Sequence, residues 1–186
     1  MEHIIKDFLL TSEMLSKEHL TYSYTGNMGR KRGKRLFITR TGSNLLSLSE
    51  EDIISVPLEE KSPLDSRASS ELKVYRDILG EFSYTSLLHV HAPYTLCVSL
   101  KRDKIIPLDS EGREALGSVP VLSLRNPSAS EELSQALKES FKTYKIAVIK
   151  GHGVFCLENS LFRAYELVSL LENSCKILWR CEDGKS

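Results

Sequence analysis

The chain has 186 residues, 41% hydrophobic and 27% charged, with 25 basic and 25 acidic side chains. That balance belongs to a globular chain with a core of its own and excludes a disordered or fibrous one. A net charge near zero supplies no positive field for nucleic acid or an anionic membrane surface, and no apolar run reaches the length of a bilayer-spanning helix.

The start, MEHIIKDFLLTSEM, is too acidic and too interrupted for a signal peptide, so a cytoplasmic protein is expected. Residues 2–20 have helical spacing through Ile4, Ile5, Phe8, Leu9 and Leu15. A polar stretch from Thr21 ends in Gly26-Asn27, a turn signal. The basic run Lys31-Arg32-Gly33-Lys34-Arg35 reads as a hairpin tip before the strand Leu36–Thr39. Phosphate capture or nucleic-acid contact is its functional alternative. Thr41-Gly42-Ser43 is a second turn, Ser49 to Asp52 a short helical turn, and Ile53–Val56 a strand. Residues 57–68, with Pro57 and Pro63, form a loop. Ser69-Ser70-Glu71 then opens a helix to about Leu79, with serine as the cap.

Leu87 to Leu100 is strand-rich and divides at Pro93. Residues 101–128 alternate turns with short apolar pieces. Ser130–Lys142 is an amphipathic helix, Ile146–Ile149 a buried strand, Gly151-His152-Gly153 a tight turn and Val154–Leu157 the next strand. Asn159 caps a long helix to about Trp179. The expected architecture is a single α/β domain over residues 1–186, a mostly antiparallel central sheet flanked by helices. The four cysteines form no C-x-x-C pair, and Cys97 and Cys156 read as small core residues.

Two of the five histidines stand in Leu87-Leu88-His89-Val90-His91. Side chains two apart on a strand share a face, so both imidazoles point the same way. Such a pair can hold a metal, or can be two exposed histidines on a half-polar strand. His152, between two glycines after a buried strand, is either a hydrogen-bonding turn residue or a third ligand. Three protein ligands and one open position is the usual layout of catalytic zinc. Glu71 is either a helix-end acid complementing the helix dipole or a carboxylate ligand and general base. The turns Gly26-Asn27, Thr41-Gly42 and Ser69-Ser70 are ordinary turns and caps taken singly, and a phosphate cradle taken together.

The ordered set Gly26-Asn27, Ile38-Thr39-Arg40-Thr41-Gly42, Ser69-Ser70-Glu71, His89-Val90-His91-Ala92-Pro93 and Gly151-His152-Gly153 resembles the class II aldolase/adducin family. The stretch GHGVFCLENSLFRAYELVSLL from Gly151 to Leu171 is typical of it. The resemblance implies a homotetramer with sites at subunit interfaces, acting on a small phosphorylated sugar, with no nucleic-acid or membrane partner. It implies zinc, or another divalent transition metal, on His89, His91, His152 and Glu71, with Glu71 the acid/base residue. It implies substrate phosphate held by Asn27, Thr41, Gly42, Ser69 and Ser70. The implied reaction is cleavage of a fuculose-like ketose 1-phosphate to dihydroxyacetone phosphate and an aldehyde. A related sugar-phosphate epimerase, a dehydratase and a non-catalytic adducin-like module are the alternatives. Glu71 in place of aspartate and the 60 residues between His91 and His152 favour the aldolase.

The chain also departs from the family's pattern. Gly26-Asn27-Met28-Gly29 lacks the usual serine, and residues 101–128 lack the usual tyrosine. Arg40 stands where Ile-Thr-Pro has proline, either as an added phosphate contact or as an exposed side chain.

Overall fold

The computed structural model describes residues 2–183. In chain order its elements are α1 (Glu2–Lys17), β1 (Asn27–Arg32), β2 (Arg35–Thr39), β3 (Ile53–Pro57), α2 (Leu72–Glu81), β4 (Ser86–Val90) and α3 (Pro93–Ser99). There follow β5 (Lys104–Ile105), α4 (Ser110–Leu116), β6 (Val119–Leu122), α5 (Glu131–Phe141), β7 (Ile146–Ile149), β8 (Gly153–Glu158) and α6 (Leu161–Leu178). The strands form one sheet in the order β3-β2-β1-β4-β8-β7-β6-β5. Each neighbouring pair is antiparallel except β6 with β7. The mixed sheet with helices on both faces agrees with the expected class. No helix among the described residues is long and apolar enough to cross a membrane.

Alternation along β4 builds two cores. Leu88 and Val90 join Phe8, Leu15 and the buried face of α6 on one side of the sheet. Leu87 joins Tyr75, Ile78, Leu137 and Phe155 on the other, under α2 and α5. His89 and His91 share the parity of Leu87, so both lie on the α2/α5 side. Strands β4, β7 and β8 are buried along their whole length, which explains their continuous apolar runs.

Several boundaries differ from the sequence expectation. Helix α1 stops at Lys17, not residue 20: His19 turns to φ 55° and the Leu20 amide bonds back to the Leu15 carbonyl, a left-handed helix ending. Asn27 begins β1 instead of closing a turn, although the hairpin at Gly33 is where the basic run put it.

The apolar run past Pro93 is helix α3, not strand. Proline at a first helical position costs no hydrogen bond, and the buried Glu172 carboxylate of α6 accepts from the Tyr94 and Thr95 amides at 2.8 Å each. Helical winding exposes Cys97, which is therefore not a core residue, while Cys156 and Cys175 are buried. Ser160, not Asn159, caps α6, and its hydroxyl accepts from the Arg163 amide. The polar stretch after β4 also holds β5, α4 and β6, too short to show a period.

Candidate metal centre

The H-x-H pair enters the site from the end of β4. Asn27 of β1 and Phe155 of β8 are the register partners of His89 on either side. His152 comes from the turn joining β7 to β8, whose closing amide bonds to Ile149. Because β4 and β8 are neighbours, that turn brings His152 beside the pair. The three ring centroids form a nearly equilateral triangle with sides of 4.9, 5.0 and 4.9 Å. One nitrogen from each ring lies within 4.8 Å of the others, and His89 Nε2 is 3.1 Å from His91 Nε2. Nitrogens sharing one zinc at about 2.0–2.1 Å stand about 3.3 Å apart.

Two glycines make this approach possible. A Cβ on Gly153 would lie 2.5 Å from His89 Cε1 and 2.8 Å from the Val90 carbonyl oxygen. A Cβ on Gly26, at φ +83°, would lie 2.5 Å from the His89 carbonyl oxygen. His89 is further fixed by stacking on Phe155 (centroids 4.0 Å apart, planes 9° apart) and by Nδ1 lying 3.1 Å from the Val154 carbonyl. Donation to that carbonyl leaves the Nε2 lone pair facing the cluster. The Tyr22 ring meets His91 edge-on.

Glu71 comes from the other side of the pocket. Ser69 does not cap α2 as expected. Its hydroxyl accepts from the Glu71 amide, and Glu71 itself holds the residue before the first helical turn. There its carboxylate turns toward the histidines: Oε2 is 4.0 Å from His89 Nε2 and Oε1 is 4.0 Å from His152 Nε2. Asn27 Nδ2 donates to Oε2 at 3.1 Å, and the Tyr75 hydroxyl donates to the Asn27 carbonyl at 2.8 Å. Glu71 Oε1 and His152 Nε2 are buried atoms with no hydrogen-bond partner.

Burial sets the charge states. It lowers His89 to about 3, with the neighbouring His152 adding to the effect. His91 is lowered to about 3 by burial and then by His89 and His152. His152 is lowered by burial against the opposing charge of Glu71. The Glu71 carboxyl is raised by burial, with Asn27 and His152 acting the other way. Three neutral imidazoles beside a carboxyl are a donor set for a divalent transition metal. The orphaned Glu71 and His152 atoms, aimed at each other across 4.0 Å, fit a bound cation. Among the described residues this is the cluster of histidine, cysteine and acidic groups with such convergence. Larger hollows exist, such as one of about 640 Å³ beside the β1–β2 hairpin, but they lack it.

The polar turns meet the same pocket. The Ser69 amide bonds to the Thr39 carbonyl and the Thr41 amide to the Arg67 carbonyl, so residues 39–42 and 67–71 run side by side. Asn27, Arg40, Thr41, Gly42, Ser69, Ser70, Glu71 and the three histidines thus border one pocket of about 200 Å³. The Gly42 and Ser70 amides have no protein partner among the described residues. Every site residue expected from the sequence is therefore gathered here. Sequence reasoning missed Tyr75, Phe155 and Ser128, the last of which also borders this pocket. Tyr75 had a signal, four residues after Glu71 on the same helix face; Ser128, in a loop, had none.

One mixed sheet carries at its strand ends a pocket of three histidines and a carboxylate that could hold a metal ion. Residues 6–179 match the family described as class II aldolase and adducin N-terminal domain, and the chain belongs to that family. The chain is 26% identical over 178 residues to L-fuculose phosphate aldolase of Methanocaldococcus jannaschii, covering 92% of this chain and 93% of that one. It is 24% identical to 5-methylthioribulose-1-phosphate/5-deoxyribulose-1-phosphate aldolase of Rhodospirillum rubrum over 84% of this chain and 71% of that one. The crystal structure of L-fuculose-1-phosphate aldolase from Thermus thermophilus superposes with a TM-score of 0.92 at 29% identity, covering 100% of this chain and 98% of that one. Family membership supports an aldolase-type lyase.

Proposed function

We propose that this chain is a zinc-dependent aldolase that cleaves a fuculose-like ketose 1-phosphate to dihydroxyacetone phosphate and an aldehyde. The observation that carries the reading is the meeting of three neutral imidazoles and the Glu71 carboxyl in one pocket with two donor-bearing turns. His89, His91 and His152 would hold the metal, and Glu71 would be its fourth ligand. When bound, the metal supplies Lewis-acid stabilisation of the negative charge that develops on substrate oxygens as the carbon–carbon bond breaks.

The remaining work falls to the chain's own side chains. Glu71 delivers the proton to the carbon that loses its partner, and takes it back in the condensation direction. Burial raises the Glu71 carboxyl, so it holds a proton more readily than a free carboxyl does. Asn27 holds Oε2 and so orients the free Oε1. Thr41, Gly42, Ser69 and Ser70 hold the substrate phosphate, aided by the N-terminal end of α2. The family resemblance supports a cytoplasmic homotetramer with sites at subunit interfaces; light scattering checks the tetramer.

Metal analysis of purified protein, together with release of dihydroxyacetone phosphate from a panel of ketose 1-phosphates, tests the reading. Stoichiometric zinc and turnover of a 6-deoxyketose 1-phosphate are expected. A metal-free protein that stays inactive on the whole panel after zinc addition would sink it. Turnover of a 5-methylthio or 5-deoxy pentulose phosphate alone would keep the reaction and replace the substrate.

A further inference from the structure

We propose that Arg40 is the charge-bearing contact of the anion end of this pocket, and that it selects doubly charged phosphate over neutral groups. The inference rests on the sugar-phosphate reading above and names a residue that reading does not use. Among the residues that border the pocket, Arg40 alone carries a permanent positive charge. It leaves β2 between Thr39 and the Thr41-Gly42 turn, and its backbone pairs with Ala68 just before Ser69 and Ser70. Arg40 thus sits at the junction of both donor-bearing turns.

Its guanidinium is anchored by Asp52. Arg40 Nη2 donates to Asp52 Oδ1 at 2.9 Å, and the Arg40 amide donates to the Asp52 carbonyl at 2.7 Å. Asp52 is itself fixed, accepting from the Ser49 amide at 3.0 Å, the Ser49 hydroxyl at 2.9 Å and the Ser43 hydroxyl at 3.3 Å. One of five guanidinium N–H donors is used in this way, and the side chain keeps 43% of its exposure. A half-exposed pair of this kind is weak in water, so a dianion can share the same fork. Arginine presents two parallel N–H groups to phosphate, and such contacts are stronger than those of neutral donors. The neighbouring Gly42 and Ser70 amides and the Thr41 and Ser70 hydroxyls are neutral donors. They bind any acceptor, whereas Arg40 responds to charge.

The test is calorimetric titration of inorganic phosphate into the zinc-loaded protein, wild type against Arg40→Gln, Arg40→Ala and Arg40→Lys, at several salt concentrations. Arg40→Ala and Arg40→Gln are expected to bind phosphate about tenfold more weakly, with a shallower dependence on salt. Arg40→Lys recovers part of the affinity, because it restores charge without the fork. Zinc content is expected to be unchanged in all three, since the Arg40 guanidinium is bonded to Asp52 and not to the histidines or Glu71. Wild-type phosphate affinity and salt dependence in Arg40→Ala and Arg40→Gln would overturn the role of Arg40 and leave the phosphate pocket standing. A wild-type protein that binds zinc but takes up no phosphate would overturn both the pocket reading and this proposal.

Discussion

His152 Nε2 and Glu71 Oε1 face each other at 4.0 Å in the interior, and neither has a hydrogen-bond partner. Burial without a partner costs roughly 1–3 kcal/mol per group. A cation shared between the two atoms would satisfy both. The first consequence concerns the carboxylate. Glu71→Gln keeps the side-chain shape and one acceptor while removing the proton-carrying group. It is expected to retain metal and to lose turnover by about 10²–10⁴-fold. Unchanged turnover, measured at saturating substrate, would end the assignment.

The histidines differ in what else they support. His152 is partly exposed and sits in a turn, whereas His89 is 2% exposed and stacked on Phe155. His152→Ala should therefore lose metal with a small change in thermal stability. His89→Ala should lose metal and also cost about 2–4 kcal/mol through the cavity it leaves. Elemental analysis and denaturant unfolding of the two metal-free variants separate these effects.

Gly153 lets the β7–β8 turn approach the H-x-H strand. The added methyl of Gly153→Ala would meet His89 Cε1 and the Val90 carbonyl, one of them rigid backbone. A loss of about 1–3 kcal/mol is expected from overpacking, with weaker metal affinity because His89 must move. Retention of wild-type melting temperature and metal content would show that β4 and β8 separate more readily than their burial implies.

Glu172 reaches from α6 to the start of α3, two residues past His91, and accepts from two amides and the Thr95 hydroxyl, each at 2.8 Å. Glu172→Ala leaves all three donors in a buried place. A cost of about 2–4 kcal/mol is expected, together with faster amide exchange at Tyr94 and Thr95. Protection at those amides equal to wild type would refute the cap.

The metal-free protein should lose stability as acid is added. His89 and His91, lowered to about 3 when folded, are protonated in the unfolded chain below its ordinary value of 6.5. Between those limits the unfolded state binds more protons, so stability rises with pH in that window and falls toward its acid end. Glu71, raised in the folded state, acts with the opposite sign. It is one group against the two histidines, with His152 lowered as well. Urea midpoints of chelator-treated protein from pH 7 to 4 should therefore decline. A flat or rising series would contradict the burial of the pair.

Much of this protein is determined locally. The strand parity that puts His89 and His91 on one face, the hairpin around Gly33 and the helical period of α1, α2, α5 and α6 all follow from neighbours a few residues apart, and the sequence alone carries them. The candidate site residues come from the ordered motifs through their resemblance to a family, since each motif taken singly has an ordinary structural reading. Other features depend on partners far along the chain. Pro93 to Ser99 winds as helix, and not as strand, where a carboxylate from residue 172 satisfies its first amides. Short apolar runs fit either period until such a partner chooses. Glu71 stays at the start of α2 and turns its carboxyl into the pocket, where Asn27, 44 residues earlier, donates to its oxygen. The distance between Glu71 and His152, and the burial that keeps the imidazoles neutral, exist only once β1, β4 and β8 lie side by side. Local sequence determined where the histidines and the polar turns fall along the chain; sheet order, set by long-range packing, decided that they meet in one pocket.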